Sequence, residues 1–181
     1  RRQRQMCIRD RPRVYLLHGS LSMEEMNRLY NHPKVKAFVS LTHGEGFGRP
    51  MLESTMVGLP VICSSWSGQM DFLSSQNSML LGGKLVQVPK SQHWKDIIIP
   101  ESKWFNVNET QAYKALNYCF ENYDDVKDKA LKLMKVNREK FTLDKMAKKL
   151  DEITTPYFDK VPKEVGLKLP KLKKVGNSPL P

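Results

Sequence analysis

The chain has 181 residues, with 30 Lys and Arg against 19 Asp and Glu, 40% hydrophobic residues and a mean hydropathy of −0.52. That length holds one domain with a real core, and the modest apolar share leaves some segment outside it. No apolar run approaches the ~18 residues that span a bilayer, the charged N-terminus is not followed by the apolar stretch of a secretory leader, and Cys7, Cys63 and Cys119 have neither metal-ligand nor framework spacing. A transmembrane protein, a disulfide scaffold and a collagen-like chain are excluded.

Residues 1–11 (RRQRQMCIRDR) carry no helical or strand period. Over its whole length this segment resembles a translated transposase-type sequencing adapter, so the natural protein is expected to have been cut before Pro12. The alternative is a natural basic arm that binds phosphates. Leaving out these five Arg and one Asp lowers the net charge from +11 to +7. Six Lys after Tyr157, against Asp159 and Glu164, supply +4 of the remainder, which leaves a nearly ordinary body. The high pI is therefore weak support for nucleic-acid binding, and none is expected.

Arg13 to Gly19 (RVYLLHG) reads as a short buried strand closed by glycine. Ser22 stands three residues before Glu25, a capping box that opens a helix with Met23, Met26, Leu29 and Tyr30 as its apolar stripe; Asn31-His32-Pro33 stops it. Val35 to Leu41 is a second strand. A glycine-rich turn, Gly44 to Gly48, leads into a helix with Pro50 at its start, Gly58 at its end and Pro60 beyond. Val61-Ile62-Cys63 is a third strand, apolar enough to be buried on both faces. Short strand-like pieces follow at Leu80-Leu81 and Leu85 to Val88. Beyond Trp104 the pattern becomes helical, with Asn108 and Thr142 as caps and a helix between them from about Asp124. From Pro156 to Pro181, Pro and Lys dominate without period, and a disordered basic tail is expected. The alternation of strands and helices predicts an α/β fold, a partial Rossmann-like parallel sheet followed by C-terminal helices, spanning 12–155 between the adapter-like residues 1–11 and the tail at 156–181.

The stretch from Thr42 to Glu53 (THGEGFGRPMLE) concentrates the chemistry. It sets a glycine turn between the C-terminal end of a parallel strand and the start of a helix, the edge at which open α/β sheets bind ligands. Helix-start amides and the positive end of the helix dipole favour an anion, most simply a phosphate, and glycine at 46 and 48 removes side chains that would keep a ligand from the backbone. Carboxylates beside a phosphate would repel it, so Glu45 and Glu53 are better suited to accept hydrogen bonds from hydroxyls. A diphosphate with many hydroxyls is a nucleotide sugar.

EGFGRPMLESTMVGLPVI, with Glu45 and Glu53 eight positions apart, closely resembles the donor-site motif of retaining GT-B glycosyltransferases, family four. VYLLHGSLSMEEMNRLY upstream and Trp66 to Phe72 (WSGQMDF) downstream are also similar to that family, and the resemblance extends over roughly Val14 to Ile153. It implies a C-terminal donor-binding domain in which Glu45 faces the donor sugar as the catalytic residue, the amides of Gly46, Phe47 and Gly48 approach sugar and phosphates, those of Met51 and Leu52 contact the diphosphate, and Glu53 holds the ribose. It further implies transfer with retention of configuration, no metal and no cofactor beyond the nucleotide-sugar donor, and an acceptor glycan, lipid or protein. The basic pair used on the diphosphate and the N-terminal acceptor domain are absent from this sequence, so the isolated fragment is expected to be inactive. Arg49 is the nearest cation, without an assigned role. The expected location is cytoplasmic, at most on the cytoplasmic face of a membrane, with weak membrane contact through the basic tail.

Other residues have plainer readings. His43 and His18 are turn residues, Trp66 and Phe72 packing residues, and Cys63 and Cys119 small core residues. The competing function is a non-catalytic α/β module that binds a nucleotide or sugar phosphate.

Overall fold

The computed structural model describes residues 12–158 and Lys160. The adapter-like residues 1–11 and the tail from 161 onward lie outside them. The chain divides into two units, Arg1–Arg138 and Glu139–Pro181.

The first unit is built on a parallel sheet of three short strands, β1 (Phe38–Ser40), β2 (Val61–Ser64) and β3 (Met79–Leu81), in that order. Phe38 pairs with Val61, and Ile62 with Met79. All four residues of β2 are buried, one more than the Val61 to Cys63 that the sequence predicts for a parallel strand covered on both faces. Ile62 packs with Leu81 and with Ala112, Cys119 and Val126 of the following helices, giving the core its centre. α1 (Met23–Tyr30) begins with the expected capping box: the Glu25 amide donates to Ser22 Oγ at 3.2 Å and the Ser22 amide to Glu25 Oε2 at 2.8 Å. α2 (Arg49–Met56) carries Pro50 in its first turn and ends before Gly58, whose φ of +66° is left-handed.

Three sequence expectations are corrected. Val14 to Leu17 is not a strand: it forms no ladder, and its side chains are exposed, from 90% at Val14 to 69% at Leu17. A strand exists only through its hydrogen-bonded neighbour, and among the described residues none is aligned with this run. The strand expected over Val35 to Leu41 shortens to the three residues of β1, because only Phe38 to Ser40 face β2. Beyond Trp104 the chain first makes a strand rather than a helix. β4 (Gly83–Gln87) and β5 (Lys103–Val107) form an antiparallel hairpin in which Leu85 pairs with Phe105.

α3 (Glu109–Glu121) starts where expected, with the Gln111 amide donating to Asn108 Oδ1 at 3.0 Å. α4 (Tyr123–Lys140) then binds the far end of α2. Lys127 Nζ donates to the Gly58 carbonyl at 2.5 Å and Arg138 Nε to the Met56 carbonyl at 2.6 Å, so α4 supplies the cations that the end of α2 lacks in its own sequence. Asn137, 1% exposed, donates to Thr55 Oγ1 at 2.9 Å and to the Phe72 carbonyl at 3.2 Å. In the second unit, α5 (Leu143–Phe158) is capped by Thr142, whose Oγ1 accepts from the Lys145 amide at 3.2 Å. It continues through Pro156, where the tail was expected to begin, although proline has no amide to bond the Glu152 carbonyl one turn earlier.

Cys63 and Cys119 are free thiols in the core, and burial pushes Cys63 up to about 12 from its ordinary 9.0. A raised thiol contributes stability fully below its unfolded value, and that contribution is lost as pH rises from about 9 toward 12. Urea midpoints should therefore fall over this alkaline range, and more steeply for the native chain than for Cys63→Ala; parallel profiles would contradict a buried neutral thiol. Asn137→Ala should cost about 1–3 kcal/mol in urea unfolding, because it removes both of its bonds from a buried site.

Candidate active site

The turn after β1 is fixed from two sides. From one, Ser67 Oγ donates to the Glu45 carbonyl at 2.6 Å, the Glu45 amide donates back to Ser67 Oγ at 3.2 Å, and the Gly68 amide adds a bond to the same carbonyl at 3.1 Å. Ser67 makes these bonds at φ +86°, a left-handed conformation that costs a non-glycine residue about 1–3 kcal/mol. Gly68 is required for contact: a Cβ there would fall 2.0 Å from the Gly46 carbonyl oxygen. From the other side, the hairpin reaches His43. The Phe105 amide donates to the His43 carbonyl at 3.0 Å, and His43 Nδ1 lies 2.9 Å from the Phe105 carbonyl, which requires a proton on Nδ1. The His43 ring stacks on Trp104 at 4.1 Å between centroids, and Trp66 lies parallel to Phe105 at 5.8 Å. His43 and Trp66 thus behave as the turn and packing residues that the sequence suggests.

The two glycines of the turn differ. Gly48 is the N-cap of α2 at φ +84°, where a Cβ would meet Met51 Cε at 3.1 Å and Gln69 Cβ at 3.3 Å. At Gly46 nothing lies within 4 Å of a Cβ, so its backbone borders open space. Among the described residues, the Gly46 and Gly48 amides have no hydrogen-bond partner. Phe47 packs its ring against Phe72 at 5.2 Å. The Met51 and Leu52 amides are engaged differently from the sequence expectation: both donate to the Gly48 carbonyl, at 3.0 and 3.1 Å, so neither faces outward as a donor. The first turn of α2 holds no acid, leaving the positive end of its dipole open.

Glu53 lies one turn further along α2, on the wall of a groove of about 430 Å³ formed with α1 and lined by Leu21, Met23, Met26, Asn27, Tyr30 and Arg49 among others. Glu45 is not among the residues lining that groove, so the two carboxylates sit on different parts of the site. Arg49 Nε donates to Glu53 Oε1 at 2.6 Å, a half-exposed i,i+4 ion pair of the kind worth about 0.3–0.5 kcal/mol and easily exchanged for a ligand. The Tyr30 hydroxyl is buried with no hydrogen-bond partner among the described residues. Burial, and after it the Glu53 carboxylate, pushes its pKa up, so it stays protonated as a donor beside that carboxylate.

Sequence reasoning placed Tyr30 on α1 but gave it only a packing role, and it anticipated the β4 arm of the hairpin at Leu85 to Val88 but missed β5 with its Trp104 and Phe105. The adjacent aromatic pair was the available signal, hidden by the helical run directly after it. Among the described residues no group of three or more His, Cys, Asp or Glu is arranged to hold a metal, and no helix is long and apolar enough to cross a membrane.

The site makes its two glycines separable. Gly46→Ala should leave unfolding stability within about 0.5 kcal/mol of the parent, whereas Gly48→Ala should cost about 1–2 kcal/mol through its positive φ; equal losses would mean that the turn is not held in this conformation. No curated protein is found to match the chain. Residues 12–100, which contain the turn, α2 and both carboxylates, match the family model described as glycosyl transferases group 1.

Proposed function

We propose that this segment binds the nucleotide-sugar donor of a retaining glycosyltransferase. The observation that carries the reading is the placing of Glu53 on the groove wall, one turn below a helix start free of acids and beside the unpaired Tyr30 hydroxyl. A ribose fits this wall: its hydroxyls donate to the Glu53 carboxylate, displacing Arg49 from Oε1, while Tyr30 lines the same groove with its hydroxyl shielded from solvent. The diphosphate then meets the open amides of Gly46 and Gly48 and the positive end of α2. Met51 and Leu52 contribute to the helix start rather than donating to the phosphates. The transferred sugar lies toward Glu45, whose backbone is pinned by Ser67 and Gly68 so that its carboxylate is presented from a fixed turn.

Departure of the nucleoside diphosphate is then assisted by fixed dipoles rather than by a metal. β1 has a strand neighbour on one side only among the described residues. A further proposal, resting on the family match of residues 12–100, is that the rest of the sheet and an acceptor-binding domain belong to the same protein and complete the outer edge of β1. A glycan, lipid or protein acceptor would be chosen there, and the cytoplasmic setting is part of the same reading.

Two substitutions in the purified protein test the assignment by calorimetric titration with uridine, guanosine and adenosine diphosphates. Glu53→Ala should weaken binding of the preferred nucleotide by about 1–3 kcal/mol, the worth of charged hydrogen bonds; unchanged affinity would remove the ribose from Glu53. In the protein joined to the rest of its sheet and an acceptor-binding domain, Glu45→Ala should leave that affinity near the parent value and abolish transfer. Equal loss of both activities would contradict a sugar-facing Glu45, and binding without any transfer by that joined protein would favour a non-catalytic module. Transfer by the joined protein is expected to be unaffected by EDTA.

A further inference from the structure

The hairpin that braces the turn carries a tip whose composition is unusual for a loop in water. Beyond the ladder, the Val88 amide donates to the Ser102 carbonyl at 3.1 Å, and Gln87 Nε2 bonds to the Pro100 carbonyl, closing the two flanks together. The tip itself is a tight turn. Trp94 and Ile98 exchange amide–carbonyl bonds at 3.1 and 2.8 Å, the Ile97 amide donates to the Trp94 carbonyl at 3.0 Å, and Asp96 takes φ +63°, a left-handed position that aspartate tolerates. These bonds fix a conformation in which Trp94 is 64%, Ile97 63% and Ile99 50% exposed.

Single exposed apolar residues need no explanation, but a tryptophan and two isoleucines presented together by one ordered turn do. Their surroundings name a partner. Lys90, Lys95 and Lys103 are exposed around the tip against Asp96 and Glu101, and the two ion pairs among the described residues lie elsewhere, at Arg49–Glu53 and Asp125–Lys129. Apolar insertion with basic attraction is the pair of signals that holds a protein on an anionic bilayer, and tryptophan favours the headgroup level of that boundary.

We infer that the β4–β5 tip is a membrane-surface contact that inserts Trp94, Ile97 and Ile99 among anionic lipid headgroups. Lys90, Lys95 and Lys103, in excess of Asp96 and Glu101, add an attraction that fades within a Debye length. The inference is independent of the donor-site reading, since it concerns lipid alone.

Co-sedimentation with vesicles of phosphatidylcholine containing about one-third phosphatidylserine tests it. The full chain should sediment with these vesicles and much less with pure phosphatidylcholine. The variant Trp94→Ser/Ile97→Ser should bind at least about fivefold more weakly, as lost burial of two large apolar side chains requires, with an unchanged circular dichroism spectrum. Lys90→Glu/Lys95→Glu, which leaves the apolar tip intact, should also weaken binding and reduce its salt dependence. Absence of vesicle binding would overturn the inference and leave the tip to a protein surface. Binding undiminished in both variants would overturn it in favour of the C-terminal lysines.

Discussion

The candidate site depends on the backbone of residues 43–48 being held from outside. A glycine turn has no side chains of its own with which to choose a conformation, so its shape is set by what it is bonded to. Here the Glu45 carbonyl takes two bonds from the segment at Ser67 and Gly68, and His43 exchanges bonds with Phe105 of the hairpin. Both braces originate at the C-terminal ends of β2 and β3, beyond the sheet edge where ligands of such folds bind. The left-handed Ser67 is the conformational cost of this arrangement, and the two hydrogen bonds of its hydroxyl offset it.

The rest of the core serves to aim α2. β2 is buried throughout and fixes the sheet against the helices, while α4 grips the far end of α2 through Lys127, Arg138 and Asn137. Cations at its C-terminal end and no acid in its first turn polarise the helix in one direction, with its positive end at the glycine turn. The same placement turns Glu53 toward α1 and Tyr30. On the proposed reading, a single helix serves two halves of one ligand, an anion at its start and a polyol one turn along its side.

Local chemistry was legible in the sequence; partnership was not. The capping box at Ser22 and Glu25, the Asn108 cap and the burial of Val61 to Cys63 follow from residues close together in the chain, and the structure holds them as read. The turn and its carboxylates stood out because glycine, proline and glutamate there have few other uses. Val14 to Leu17 misled because a strand is defined by a neighbour, which composition does not reveal. β5 was hidden because Trp104 and Phe105 adjoin a strongly helical run, and its role as a brace depends on contacts some sixty residues away in sequence. Asn137 drew no reading from the sequence, yet it is buried as the link between α4, Thr55 and Phe72. The Arg49–Glu53 pair and the use of the Met51 and Leu52 amides by Gly48 likewise appear only in three dimensions.

The central claim, that one ligand spans the glycine turn and the Glu53 groove, is most directly tested by amide chemical-shift mapping of the isotopically labelled protein during titration with a nucleoside diphosphate. The account predicts that the largest shifts fall together on Gly46, Gly48, Arg49 and Glu53 and reach Tyr30 across the groove. Shifts confined to the lysine-rich C-terminal residues, with the turn and the groove unmoved, would contradict it.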